Sequence, residues 1–276
     1  MSELRSITFT IITVVYNDAN GLEKTINSVL SQTYSHLEYI VIDGGSTDGT
    51  RDVIKKYERR LTYSVSEPDD GIYDAMNKGL KLAKGDYVNF MNAKDVFCDN
   101  NVLQNIADIL RGKPDIIFGD LAVENDGVLY VAKAKPFYES LPLHHDAGFN
   151  HQCTFVKTSL AQSHPFDLSY KLAADYNMII SLYREKASFQ QVDFVIALYD
   201  LSGVSQKNKK QHLRETLHID NPNRPFYNAV FYYFFRIRHH GYSAIKGICS
   251  IFFPTIYKRM QTKGAKRYDS VLRNEK

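Results

Sequence analysis

Cysteine is scarce: Cys98, Cys153 and Cys249 are the only three in 276 residues, too few and too scattered for a disulfide framework or a zinc site. Reduced thiols in a cytosolic compartment are the reading that follows. No stretch reaches the ~18 uncharged apolar residues that a spanning helix needs. The chain also lacks the long apolar run of a secretory leader, since Glu3 and Arg5 precede a short strand-like segment. A cytoplasmic protein is therefore expected. There is no internal repeat and no low-complexity tract. No Gly-x-Gly-x-x-Gly or Gly-Lys-Ser turn follows the first apolar run, which removes a dinucleotide fingerprint and a triphosphate loop. His144, His145 and His151 lack the paired i, i+4 spacing of a helical zinc site. A net charge of +3 is too small to point to a nucleic-acid partner.

What is present is a mixed composition, 44% hydrophobic and 24% charged, which excludes a disordered chain, a coiled coil and a polytopic membrane protein. The length allows one large domain, or a domain with an appendage. The charge is divided unevenly. Residues 1–205 carry 19 Lys and Arg against 27 Asp and Glu, while residues 206–276 carry 15 against 4. An acidic body is joined to a basic tail.

Strand-like and helix-like segments alternate through the first 120 residues. Ile7–Val15, Leu37–Ile42, Leu61–Ser66, Tyr87–Met91 and Asp115–Phe118 read as strands, the first two buried on both faces. Asn20–Gln32, Ile72–Ala83 and Asn101–Leu110 carry apolar residues at helical spacing. This alternation predicts an α/β fold with a mostly parallel sheet flanked by helices. Later, Val128–Ala134, Gln152–Val156 and Phe189–Leu198 read as strands and Ala173–Tyr183 as a helix.

Ligands of such sheets sit beyond the carboxyl ends of the strands. Tyr16, Asn17 and Asp18 follow the first strand, Asp43 and a glycine-rich turn follow the second, and Asn92 to Asp95 follow the fourth. A lone aspartate there is a turn-former or helix cap. Three together, each just past a strand, fit a site for hydroxyl or imide donors, or for a hard divalent cation.

Three strings carry a further signal: Ile12-Thr13-Val14-Val15-Tyr16-Asn17, then Asp43-Gly44-Gly45-Ser46-Thr47-Asp48-Gly49-Thr50, then Glu67-Pro68-Asp69-Asp70-Gly71-Ile72-Tyr73-Asp74-Ala75-Met76-Asn77-Lys78-Gly79. In this order and spacing they resemble family 2 glycosyltransferases of the GT-A fold, the inverting, nucleotide-sugar-dependent enzymes of bacterial surface polysaccharide synthesis. The resemblance covers residue 7 to about residue 205. It implies a GT-A catalytic domain over 1–205, with a Rossmann-like nucleotide-sugar half at 1–120 and an acceptor half at 121–205. It implies that Asp43 accepts from the base, with Tyr16 and Asn17 in the same pocket and Asp69 facing the nucleotide. Asp175, in Ala173-Ala174-Asp175-Tyr176, maps onto the catalytic base; His151 and Gln152 resemble the acceptor-side strand, and Gly203-Val204-Ser205 the closing loop.

One departure matters. The family's metal motif would read Asp-x-Asp-Asp at 92–95, whereas this chain has Asn92, Ala93, Lys94 and Asp95. Three readings stay open. Asp95 binds Mg2+ or Mn2+ through the donor diphosphate, more weakly than a two-carboxylate site. Alternatively the Lys94 ammonium partly replaces the metal's charge, allowing metal-independent transfer, or it simply points to solvent. The damaged motif also keeps a catalytically silent, scaffold-like subunit in play, with nucleotidyl transfer a more distant rival.

The tail, 206–276, is expected to be a helical extension. Its aromatic segments Phe226–Phe235 and Gly247–Tyr257 are bounded by Arg or Lys. They suit helices lying at the inner face of a membrane, or packing on the catalytic domain or on a second subunit as a homodimer. The implied partners are a nucleotide-sugar, with a UDP-sugar favoured, and a saccharide or lipid-linked acceptor receiving a hexosyl or N-acetylhexosaminyl group.

Overall fold

The computed structural model describes residues 6–110, 112–125, 128–134, 150–199, 208–220 and 266–267. Strand–helix repeats open the chain: β1 (Phe9–Val15), α1 (Ala19–Leu30), β2 (Leu37–Asp43), α2 (Thr50–Tyr57), β3 (Tyr63–Ser66), α3 (Ile72–Leu82) and β4 (Tyr87–Phe90). Every residue of β1 is buried. Its alternation divides the core: Phe9, Ile11 and Val15 pack with Leu22, Ile26 and Val29 of α1, while Ile12 and Val14 pack with Met76 and Leu80 of α3. A strand covered on both faces reads as an unbroken apolar run, which is why the sequence shows one there. Helix α3 lies very close to this strand. A Cβ on Gly79 would stand 2.6 Å from Ile12 Cγ2, so only glycine permits the approach.

The remaining elements are β5 (Val96–Phe97), α4 (Val102–Ile109), β6 (Ile116–Asn125), β7 (Val128–Ala132), β8 (Thr154–Lys157), α5 (Thr158–Ser163), α6 (Ala174–Arg184), β9 (Phe189–Tyr199), α7 (Lys209–Asp220) and β10 (Lys266–Arg267). The strands β1 to β10 all pair in one sheet, ordered β10-β7-β6-β8-β4-β1-β2-β3, with β9 joined to β6 and β5. The expected parallel sheet is the β3-β2-β1-β4 part. Beyond β4 the pairing turns antiparallel through β8, β6 and β7, and only β9 runs parallel to β6. The short β5 and α5 escape sequence reading because they span too little chain to show a period.

Helix α7 begins the basic tail and docks on α6. Glu215 Oε2 accepts from Leu172 N–H at 2.8 Å, Tyr176 donates to Asp220 Oδ1 at 2.6 Å, and Leu217 and Ile219 are buried. The rest of the tail apart from β10, the 203–205 loop and His144–Asp146 lie outside the described residues. Among the described residues no helix is long and apolar enough to cross a membrane.

Candidate active site

Because β1 to β4 are parallel, their carboxyl ends share one edge. Backbone bonds carry the ladder past the strand ends: Gly44 N–H to Val15 O (2.9 Å), Glu67 N–H to Asp43 O (3.0 Å) and Ala93 N–H to Val14 O (3.2 Å). Asp43, the last residue of β2, is fully buried. Its carboxylate accepts from Ser46 N–H at 3.1 and 3.2 Å, from the Ser46 hydroxyl, and from the Ser66 hydroxyl at 2.5 Å. These donors replace the water that a buried carboxylate loses. Asn17, at φ 50°, donates its N–H to Ser46 Oγ at 2.7 Å and accepts from Thr47 N–H at 2.8 Å. Tyr16 stands at the mouth, 67% exposed. Asp69 accepts from Gly71 N–H at 2.9 Å, and its carboxylate lies where a Cβ on Gly44 would be. The glycine turn is therefore what lets Asp69 close over Asp43.

The turn after β4 is held against α1. Thr25 Oγ1 donates to Asp95 O at 2.8 Å and to Asn92 O at 3.2 Å. Lys94 sits at φ 82°, and its N–H donates to Gly21 O at 3.2 Å. Its Nζ pairs with Asp18 Oδ2 at 3.2 Å, and Asp18 in turn caps α1 by accepting from Gly21 N–H. A Cβ on Gly21 would stand 2.6 Å from Lys94 Cγ, so a glycine is needed where these two side chains meet. Asp95 is turned inward, 3% exposed, with its Oδ2 accepting from Gln152 Nε2 at 2.9 Å.

The later part of the sheet meets this turn through residues 151 and 152. Asn89, in the middle of β4, donates to the carbonyls of His151, Gln152 and Thr154 at 3.2, 3.0 and 2.9 Å. His151 then bridges the two sides: Nδ1 lies 3.0 Å from Asp175 Oδ2 and Nε2 lies 2.9 Å from Asn92 Nδ2. The other carboxylate oxygen, Asp175 Oδ1, accepts from the Tyr73 hydroxyl at 2.9 Å. Asp175 lies in the first turn of α6, where the helix dipole favours an anion. Burial pushes its pKa up, but the hydrogen bond from the His151 ring, with the Tyr73 hydroxyl, outweighs this and holds it below the usual carboxylate value. Burial and the adjacent Asp175 charge push the Tyr73 phenol well above its ordinary value, so it remains a donor.

Residues 10–163 match the model of the Glycosyl transferase family 2. The chain belongs to that family. Among relatives of this glycosyltransferase, the uncharacterized glycosyltransferase Rv1514c of Mycobacterium tuberculosis is 35% identical over 177 residues, 63% of this chain and 68% of that one. WfgD of Escherichia coli, named a UDP-Glc:alpha-D-GlcNAc-diphosphoundecaprenol beta-1,3-glucosyltransferase, is 26% identical over 86% of this chain and 96% of its own. Solved structures share the GT-A fold. S. aureus TarS 1-349 in complex with UDP-GlcNAc superposes with a TM-score of 0.62 at 19% identity, covering 79% of this chain and 67% of that one. Glucosyl-3-phosphoglycerate synthase from Mycobacterium tuberculosis, in complex with Mn2+, UDP and glucosyl-3-phosphoglycerate, gives 0.55 at 17% identity, covering 78% and 80%. The chain spans 39% of the longer TarS chain.

In this glycosyltransferase the donor set for a divalent cation is thin. Mg2+ or Mn2+ sites of this kind need one or two accessible carboxylates beside substrate phosphates. The 92–95 turn offers Asp95, which is buried on the Gln152 amide, and it presents the Lys94 ammonium at its exposed corner. No group of three or more acidic, His or Cys side chains suited to a metal occurs among the described residues. These residues do not fit a resident cation, and no step below is routed through one. Asn89, Tyr73 and Ser66 escaped sequence reading. For Asn89 a signal was there: an amide inside a buried strand must find partners.

Proposed function

We propose that the enzyme transfers one sugar, with inversion, from a UDP-sugar to a saccharide or lipid-linked saccharide in surface polysaccharide synthesis. The observation that carries this reading is Asp175, a carboxylate held below its usual pKa beside the turn that follows β4. The donor names borne by WfgD and TarS support a uridine nucleotide. Asp43 accepts from the base in exchange for one of its serine donors, with Tyr16, Asn17 and Asp69 around the nucleotide. An acceptor hydroxyl attacks the anomeric carbon from the face opposite the diphosphate. The new C–O bond forms as the bond to the diphosphate breaks, and the hydroxyl proton passes to Asp175. The departing diphosphate needs a cation, and Lys94, parked on Asp18, supplies it.

The basic, aromatic tail beyond α7 then brings a lipid-linked acceptor within reach by docking on an anionic membrane face. Its opposite charge to the body supports that reading.

The test is nucleotide release from a panel of nucleotide sugars, with and without saccharide acceptors and with EDTA. Acceptor-dependent UDP release that persists in EDTA, and falls at least tenfold in Lys94→Ala, is expected. Loss of release in EDTA with Lys94→Ala unaffected returns the charge to a metal. No release from any donor favours a silent scaffold subunit, the reading that the altered 92–95 motif otherwise supports.

A further inference from the structure

We infer that His151 is a positioning residue for Asp175, locking the base to the donor-side turn through Asn92, rather than a group that binds the acceptor. This rests on the transfer reaction proposed above and assigns a new role within it.

Both ring nitrogens of His151 already have protein partners, Asp175 Oδ2 at 3.0 Å and Asn92 Nδ2 at 2.9 Å. A sugar hydroxyl would have to displace one of them. The partners also decide the tautomer. A carboxylate accepts, so the proton sits on Nδ1 and Nε2 is left as an acceptor. Asn92 must then offer its Nδ2–H to the ring. That orientation explains an otherwise odd feature: Asn92 Oδ1 is buried with no hydrogen-bond partner. Turning the amide round would set two acceptors against each other.

The ring is anchored from behind as well. Asn89 holds the carbonyls of residues 151 and 152, and Gln152 pins Asp95. Tyr73 from α3 takes the second oxygen of Asp175, so the carboxylate plane is fixed at both ends. The groups facing the base are His151 from the 151–153 turn and Tyr73 from α3, with the charge of Glu215 on α7 acting on Tyr73. Each carboxylate oxygen keeps a lone pair for the acceptor proton. His151 holds Asp175 ionised and aimed, and through Asn92 registers it against the turn that meets the donor.

His151→Ala and His151→Asn test this, with UDP binding by calorimetry as the check on folding. In His151→Ala, kcat should fall about 100-fold with acceptor KM unchanged. Its acid limb should move to higher pH, because burial of Asp175 is then offset by Tyr73 without His151. His151→Asn, whose side-chain amide can donate to Asp175, should recover most of the rate. A raised acceptor KM at unchanged kcat would make His151 an acceptor-binding group and overturn the inference. So would an equal loss at every pH in a variant that binds UDP normally. Nitrogen NMR of the wild-type ring gives a reading independent of any variant: a protonated Nδ1 and bare Nε2 are expected, and the reverse tautomer overturns the inference. Full transfer by Asp175→Asn would instead remove the base assignment beneath it.

Discussion

The rim around Asp43 and the rim around Asp175, proposed above as donor side and acceptor side, hold their carboxylates in different ways. Asp43 is satisfied by Ser46, three residues on, and by Ser66, 23 residues on, with its loop stitched to Asn17. Asp175 is satisfied by Tyr73, 102 residues back, and by His151, itself held from Asn89 and tied to Asn92. The first rim closes within the first βαβ repeats. The second is a convergence of distant elements, and it carries the proposed base. On the proposed function, donor recognition is built into a parallel sheet that satisfies itself, whereas proton removal depends on how well the antiparallel part docks onto it.

The comparison can be broken at several points. Asp175→Asn should reduce transfer about 1000-fold while leaving UDP affinity intact, measured by UDP release and calorimetry; a loss of UDP affinity would merge the two rims into one. Asn89→Ala should destabilise the enzyme by about 2 kcal/mol in chemical denaturation, because three carbonyls lose this shared amide donor together. That variant should also lose kcat before it loses donor binding. Asp43→Asn should raise donor KM about 10- to 100-fold with little change in kcat, the loss of one charged hydrogen-bond acceptor. If kcat falls instead, the donor rim is not self-contained. The smallest effect concerns Asp115, which ties β6 to Lys157 and Ser188 at the acceptor half's far end. The Lys157 ammonium, followed by the Ser188 donors, holds its pKa down to about 2 from 3.8. A depressed carboxylate stabilises the fold above the ordinary value and loses that contribution as pH falls toward 2. Asp115→Asn should therefore cost about 1 kcal/mol at pH 7, allowing for solvent screening, and match the wild type near pH 2 in urea titrations.

This contrast also explains which parts of the molecule could be read in advance. β1, β2 and α1 announce themselves through runs and spacing, and Asp43, Asn17 and Asp69 through motifs confined to single loops. Asp175 and His151 were found by resemblance, but their contact was not, since 24 residues separate them and nothing in either local pattern encodes the meeting. Gln152, expected on the acceptor side, donates to Asp95, a contact that neither local pattern encodes. Lys94 illustrates a third case. Its charge was visible, but its pairing with Asp18 depends on a left-handed backbone and on Gly21, a packing fact that no periodicity reports.

Asn89 has a consequence for the order of assembly. Its three acceptors lie 62 to 65 residues further along the chain. The strands β1 to β4 complete their own ladder without them, whereas closing a loop of that length is slow relative to forming local contacts. The amide therefore waits, unsatisfied, until the later segment arrives. Arrival of that segment sets His151 beside Asn92, so on the proposed reading a chain caught halfway holds a nucleotide rim but no positioned base.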